Sequence, residues 1–421
     1  MNDKRELKGI WFLPHLQEIE VGGTLFYEPG KHIRLELFGD LEQRTDITEY
    51  FGGSSKYPVI YGITSKGKKI SLFECFGSYS ITTNAVPLTN YTASAFLEGS
   101  HANSHMEDIF DQIEVDFLQL VRWLGKDAFV CEREMVSPKF YKTAIKYSRD
   151  HGFNANYEIE TDYELELDLS AIGNKTNGIW TIKNCSKVII TNKNNAVSSW
   201  ELWRRIEIFR TFLSFGLLQP VPYSFIRLRL KENAEFLDYV YLERGAVSNI
   251  RNEGFLYNFS RIESKLPMLL KNWYDSTGDM FPIRVHLLEA ILHKPSFRST
   301  DFMTLAFAFE GFYHRFLKQK VSKTGGLLNA VKNIQVIFKD LTFLNKIKVS
   351  GDEMNDSRNY YAHLFIKDPT KKILTGIELL KMTEKVKILL ILSMLKQMGF
   401  EIPEIEKCVH NCDLLKKVNS W

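Results

Sequence analysis

The chain has 421 residues, which is too many for one ordinary hydrophobic core and predicts two or three domains. Hydrophobic residues make up 44% and charged residues 25%, which is the balance of a folded globular protein and excludes a disordered one. The formal net charge is only +3, so no global field draws the protein to nucleic acid, and any RNA binding must come from a local patch.

Three further features bear on the cellular compartment. The five cysteines are odd in number and irregularly spaced, which argues against a framework of disulfides. The first residues are charged and lack an apolar stretch, so we expect no signal peptide. The most apolar stretch, Ile388–Leu395, is too short to span a bilayer. The sequence therefore predicts a cytoplasmic protein without membrane contact.

The first part of the chain is predicted to be β-rich. Polar and apolar residues alternate at period two in His32–Phe38 and in Tyr157–Leu169, which favours an antiparallel sheet or sandwich. Two inserted helices are expected. One follows the capping-box pattern Ser104–Glu107, after which Ile109–Leu120 carries apolar residues at helical spacing, and the other covers Ser199–Leu213. We expect the β-rich part to end near residue 265.

The remainder of the chain, residues 266–421, is predicted to be an all-α bundle. Apolar residues recur at helical spacing, and Gly or Pro residues separate the segments. The predicted helices are Ile283–His293, one beginning at Ser299 or Thr300 with an apolar stripe to Phe316, Leu327–Phe338, Glu353–Leu364 and Thr375–Met398.

Candidate metal and phosphate motifs are weak. His101 and His105 have the four-residue spacing of a helical metal-binding pair, but the Gly, Ser and Asn residues around them indicate a polar loop. Cys408–Cys412 lacks the four ligands of a structural zinc site, so buried thiols are expected. The sequence therefore predicts neither a metal nor a cofactor. Three basic residues, Lys318, Lys320 and Lys323, usually indicate a solvated helix end, but they are candidate RNA-phosphate contacts.

One group of nearby residues indicates a catalytic site. Arg358, Asn359 and His363 lie within two turns of a predicted helix, and Asn359 and His363 share one face because they are four residues apart. Arg358 and His363 are five residues apart, so they converge better if the helix bends or if a second copy of the chain faces them. The alternative is that Asn359 and His363 only satisfy polar groups within a helical bundle.

These residue types suit the cleavage of a phosphodiester. A histidine can take the proton of a ribose 2′-hydroxyl, or give one to the leaving 5′-oxygen, near neutral pH. Arg358 offers a permanent planar cation to the phosphate oxygens, and Asn359 can orient the histidine or the phosphate. The ribose hydroxyl is an internal nucleophile, so the reaction requires no metal.

The run Arg358–His363, RNYYAH, resembles the motif of HEPN ribonucleases, which is an arginine, a polar residue, a few variable residues and a histidine. Upstream, Phe302–Phe316, with Phe309–Phe312 at its centre, is similar to the acidic helix that precedes this motif in the ApeA-type branch. Gly9–Pro14 and Val21–Leu25 are similar to the opening of the ApeA N-terminal domain. These separated features occur in the expected order, and together they cover nearly the whole chain.

The resemblance implies a metal-independent endoribonuclease with two domains. Residues 1–265 correspond to a sensor or regulatory domain, which can hold two subdomains, and residues 266–421 to a HEPN nuclease domain. Arg358, Asn359 and His363 match the catalytic motif. By the same resemblance Glu310 matches an acidic position, although on its own it could equally pair with a lysine or an arginine.

The implied biology is abortive anti-phage defence. A toxic ribonuclease would be held quiet until a phage-derived trigger reaches the N-terminal domain. The implied partners are RNA, with tRNA as one candidate, and a second copy of the chain, because HEPN domains usually dimerise with their motifs facing one another. Many HEPN proteins are inactive, so the alternative is a non-catalytic dimerisation protein that binds a nucleotide or another partner.

Overall fold

The computed structural model describes residues 4–42, 55–80, 88–137, 140–147, 152–177, 179–241, 254–292, 298–317, 326–364, 366, 368–412 and 414–419. The chain divides into two compact units. The first unit comprises Met1–Arg122, Lys126–Glu207 and Pro222–Ser248, and the second comprises Trp123–Gly125, Ile208–Val221 and Asn249–Trp421. The domain boundary at residue 265 stays a prediction.

Six strands of the first unit close into an antiparallel barrel. They are β1 (Arg5–Leu13), β2 (Leu16–Tyr27), β3 (Ile33–Phe38), β4 (Ser55–Thr64), β5 (Lys69–Ser80) and β6 (Leu88–Ala93). They pair in the order β5-β4-β1-β2-β3-β6, and β6 pairs with β5 to complete the ring. Closure of the ring leaves fewer open strand edges than a flat sheet would expose.

The alternation of residue types places every second side chain inside the barrel. In β3 the residues Ile33, Leu35 and Leu37 are buried in one cluster, as the period-two pattern predicts. Trp11 of β1 is fully buried in the same cluster, and its ring lies against Gly62 of β4, where an added Cβ would overlap the indole. The barrel interior is therefore a packed apolar core.

Nine more strands of this unit are described, and seven of them extend the sheet beyond β5. They are β7 (Ala95–Glu98), β8 (Phe110–Phe117), β9 (Phe129–Ser137), β10 (Phe140–Tyr147), β11 (Phe153–Glu160), β12 (Tyr163–Thr176), β13 (Ile179–Asn192), β14 (Tyr223–Leu230) and β15 (Phe236–Tyr241). Their order is β11-β12-β13-β8-β14-β15-β7, with β7 next to β5, while β9 and β10 form a separate ribbon. The β-rich prediction is confirmed, and part of the sheet closes as a barrel.

One inserted helix was predicted wrongly and the other is confirmed. The helix predicted over Ile109–Leu120 does not form, because β8 occupies Phe110–Phe117 and pairs with both β13 and β14. Ile113 and Phe117 are four residues apart, a spacing that fits a strand as well as a helix, so long-range pairing decides the outcome. Short helix α1 (Leu120–Leu124) follows the strand, and α2 (Ser199–Leu217) confirms the second prediction.

The rest of the chain is helical, as predicted. The helices are α3 (Phe259–Ile262), α4 (Leu266–Asp275), α5 (Thr277–Leu292), α6 (Ser299–Phe312), α7 (Gly326–Ile337), α8 (Leu344–Ile347), α9 (Gly351–His363), α10 (Gly376–Met398), α11 (Ile402–His410) and α12 (Leu414–Asn419). A 3-10 turn precedes α4, and a single π-helical turn, Tyr313–Leu317, continues α6.

Helix α10 forms the core of the bundle. Every residue from Val386 to Leu395 is buried, because this stretch is mostly apolar and packs against several helices at once. Its one charged residue, Lys387, pairs with buried Glu384 at 2.6 Å. Helix α6 packs against α5, α7, α9 and α10. Among the described residues, no helix combines the length and the apolar character that a membrane span requires.

Candidate active site

Helix α9 carries the motif, and its two ends are defined by local interactions. The side chain of Ser350 caps the N-terminus by accepting the Glu353 N–H at 3.3 Å. At the other end Leu364 adopts a left-handed conformation with φ of 51°, and its N–H donates to the Tyr360 carbonyl at 2.9 Å. His363 is therefore the last residue of the helix, and its side chain is exposed.

One face of α9 is fixed to the bundle around Leu374. The Leu374 N–H donates to Ser357 Oγ at 3.0 Å, and the Tyr361 hydroxyl donates to the Leu374 carbonyl at 2.8 Å. Met354, one turn before Ser357, is fully buried on the same side. These contacts set the rotation of the helix, so Arg358 lies on the adjacent side, towards α6.

The guanidinium of Arg358 is held by two side chains. Its Nη1 donates to Asn359 Oδ1 at 2.8 Å, and its Nη2 donates to Glu310 Oε2 on α6 at 2.5 Å. The side chains of Arg358 and Glu310 are 22% and 20% exposed, so solvent screens this ion pair only in part. Phe307 of α6 lies beside the pair, with its ring centre 6.0 Å from the guanidinium carbon, and is half exposed.

The second oxygen of Glu310 faces another histidine. His314 Nε2 lies 3.8 Å from Glu310 Oε1, one helical turn along, and the His314 side chain is 38% exposed. Gly326, the first residue of α7, sits against both groups. An added Cβ there would overlap Glu310 Oε1 and come within 3.1 Å of His314 Nε2. The absence of a side chain at this position lets the two polar groups approach the start of α7.

The structure joins three of the four predicted catalytic residues, Arg358, Asn359 and Glu310, through direct hydrogen bonds. The fourth, His363, lies one turn beyond Asn359 on the same face of the helix. The predicted RNA-binding residues Lys318, Lys320 and Lys323 lie outside the described residues.

His314 is not among the candidate residues that the sequence indicates. A signal was present, because Glu310 and His314 are four residues apart, which is the spacing of facing residues on a helix. The π-helical turn that contains His314 has a hydrogen-bonding pattern that no sequence period reveals, and such turns often occur at functional sites.

The arrangement can bind a phosphate at Arg358, but the phosphate would compete with Glu310 for the guanidinium. Arg358 Nε is buried and has no hydrogen-bond partner in the part of the chain that the structure describes. Glu310 offsets the positive charge and fixes the position of the side chain. The site therefore combines a positioned cation with an exposed imidazole at His363.

The weaker motifs have structural partners. His101 Nε2 lies 3.0 Å from the Gly62 carbonyl, His105 Nδ1 lies 3.2 Å from the Tyr239 hydroxyl, and burial lowers the pKa of both histidines. Cys408 is buried as expected, which raises the pKa of its thiol to about 12. The described residues contain no group of three or more His, Cys, Asp or Glu side chains placed to hold a metal ion.

Two family models match the chain. ApeA N-terminal domain 1 matches residues 6–273, and Apea-like HEPN matches residues 304–403. A search of the curated proteins and a search of the solved structures found no match. HEPN domains are typically ribonucleases that commonly dimerise and bind RNA, so the two matches support a nuclease-type defence protein.

Proposed function

The chain belongs to the ApeA family of HEPN proteins, and from this premise we propose that it is a metal-independent endoribonuclease of abortive anti-phage defence. It would act on RNA in the cytoplasm. The proposal rests on the cluster at α9, where Asn359 of that helix and Glu310 of α6 hold Arg358, and where His363 is exposed one turn beyond Asn359.

Each residue has a role in the proposed reaction. Arg358 binds the scissile phosphate and offsets the negative charge that builds on it. His363 takes the proton of the 2′-hydroxyl, whose oxygen forms a bond to phosphorus as the bond to the 5′-oxygen breaks. The leaving 5′-oxygen takes up a proton, so the products are a 2′,3′-cyclic phosphate and a 5′-hydroxyl. Asn359 and Glu310 position the guanidinium.

The proposal extends to partners and control. The substrate would be RNA, with tRNA as one candidate, and Lys318, Lys320 and Lys323 would contact its phosphates. Residues 266–421 would form the nuclease domain and would dimerise. Residues 1–265 would restrain the nuclease until a phage-derived trigger binds, because an unrestrained enzyme would destroy the RNA of its own cell.

The first test measures RNA cleavage by purified protein, alone and with an extract of phage-infected cells as the source of the trigger. We expect His363→Ala and Arg358→Ala each to reduce cleavage of total cellular RNA by about 10²–10⁴-fold, since each removes a group that acts in the transition state. His410→Ala is a matched control, because His410 is another exposed histidine at the end of a helix in the same unit. Sequencing of the fragment ends should reveal cyclic phosphates and 5′-hydroxyls from the wild type.

Two controls accompany this test. Thermal unfolding should show that both variants remain folded, because neither removed side chain lies in the core. EDTA should leave the wild-type rate unchanged, since the ribose supplies the nucleophile. A folded His363→Ala variant that cleaves RNA at the wild-type rate, or a wild type that EDTA inactivates, would contradict the mechanism.

A second candidate function is non-catalytic binding. It is favoured by one observation, namely that both terminal nitrogens of Arg358 already donate to neighbouring side chains, as in a structural ion pair. In that case the purified wild type would bind a nucleotide or a partner protein without cutting RNA under any condition. The same cleavage assay therefore separates the two functions.

A further inference from the structure

Four polar side chains form a continuous row across α6 and α9. His314 faces Glu310 at 3.8 Å, Glu310 accepts from Arg358 at 2.5 Å, and Arg358 donates to Asn359 at 2.8 Å. His363 then lies on the face of Asn359, one turn along the helix. Arg358 is thus linked to His314 through Glu310, and its other partner, Asn359, lies one turn before His363.

We propose that His314 is a second catalytic residue, which gives a proton to the leaving 5′-oxygen while His363 takes the proton of the 2′-hydroxyl. The proposal rests on the proposed function above. Attacking and leaving oxygens stand on opposite sides of phosphorus in an in-line displacement. A proton donor and a proton acceptor are therefore needed on opposite sides of a phosphate held at Arg358, and one imidazole cannot occupy both.

The surroundings of His314 suit this role. Its side chain is 38% exposed, so a bound RNA can reach the ring, while Glu310 Oε1 lies on one side of the ring and can orient it. Gly326 carries no side chain that could separate the two groups. In contrast, the similar pair His410–Glu406, at 3.9 Å, has its carboxylate bonded to Thr342.

The protons and bonds of the step balance without any added reactant. The 2′-oxygen loses its proton to His363 and bonds to phosphorus, and the 5′-oxygen leaves phosphorus with the proton of His314. One proton enters the protein and one leaves it, so exchange with water restores both histidines. The overall change is the conversion of an RNA chain to a cyclic phosphate and a 5′-hydroxyl.

The test uses an RNA substrate in which sulfur replaces the leaving 5′-oxygen. A short RNA is made with sulfur in place of the 5′-oxygen at the site that fragment-end sequencing identifies, because a thiolate departs without being protonated. His314→Gln should lose about 10²–10⁴-fold on the oxygen substrate and recover the wild-type rate on the sulfur substrate. His363→Gln should stay impaired on both, and His410→Gln, the matched control, should be unaffected on both.

The outcomes are distinct. The role of His314 would be overturned if the His314→Gln variant cleaved the oxygen substrate at the wild-type rate, or if it stayed impaired on the sulfur substrate. Either result would leave the ribonuclease function intact. A wild type that cuts neither substrate, even when an extract of phage-infected cells supplies the trigger, would overturn the proposed function instead. His314→Asn serves as a second variant, and thermal unfolding confirms that both are folded before rates are compared.

Discussion

Arg284 of α5 is a buried arginine whose partners are neutral. Its Nη1 donates to Thr277 Oγ1 and its Nη2 donates to the Trp273 carbonyl and to Ser276 Oγ, each at 2.8 Å. The guanidinium carbon lies 3.7 Å from the centre of the Trp273 ring. Burial lowers the pKa of Arg284, since the charged form loses water. The planar guanidinium of Arg284 therefore links the end of α4 to α5 through these hydrogen bonds.

We expect Arg284→Lys to destabilise the helical unit by about 2–4 kcal/mol, because an ammonium group cannot make these planar contacts or stack on Trp273. The measurement is the free energy of unfolding in urea. Arg261→Lys, at an exposed position in the same unit, is the control and should change stability by less than about 0.5 kcal/mol. Equal effects of the two substitutions would show that the buried contacts contribute nothing specific.

Single residues also show which contacts of the candidate site can be predicted from the sequence. The spacing of Asn359 and His363 predicts a shared helix face, because a helix period is a local property. The pairing of Arg358 with Glu310 joins residues 48 positions apart, so no local pattern contains it. The resemblance named Glu310 without saying which side chain it would meet.

At the scale of elements, the start of α7 shapes the site on α6. A Cβ added at Gly326 would meet Glu310 and His314, and the first group it would strike is the flexible end of the Glu310 side chain. A side chain at this position would therefore move Glu310 with little cost to the packing of the bundle. Activity and stability should respond differently to such a change.

We expect Gly326→Ala to lower the rate of RNA cleavage by roughly 10²-fold, as a displacement of about 1 Å at catalytic groups does. The unfolding midpoint should change little, since alanine favours a helix over glycine. Gly278→Ala in the first turn of α5 is the matched control, because an added Cβ there meets nothing within 4 Å. A Gly326→Ala variant with the wild-type rate would show that the contact with Glu310 has no bearing on catalysis.

The elements differ in how well the sequence predicts them. Helices α9 and α10 appear within two residues of their predicted bounds, because caps and glycines mark their ends locally. The apolar spacing predicts a helix where strand β8 lies. The strand forms because it pairs with β13 and β14, whose residues are more than 70 positions away in the chain. Closure of the barrel likewise depends on the pairing of β5 with β6, which no local period specifies.

At the scale of the whole molecule, the geometry of α9 favours a site shared by two chains. Arg358 and His363 are five residues apart on one helix, which places them on different parts of its surface. Leu364 and Ile366, just beyond His363, are 82% and 97% exposed. We propose that these apolar side chains are buried against a second HEPN domain, and that the same contact brings Arg358 of one protomer towards His363 of the other.

We therefore expect inactive variants to complement each other. In a shared site, a heterodimer of Arg358→Ala and His363→Ala contains one intact pair and one site that lacks both groups. Random exchange makes half of the dimers heterodimers, so the mixture should regain about a quarter of the wild-type cleavage rate. If each chain uses its own Arg358 and His363, the mixture stays inactive even though light scattering and subunit-exchange measurements show mixed dimers. The comparison needs only the two purified variants and the RNA cleavage assay, with unmixed variants as the baseline.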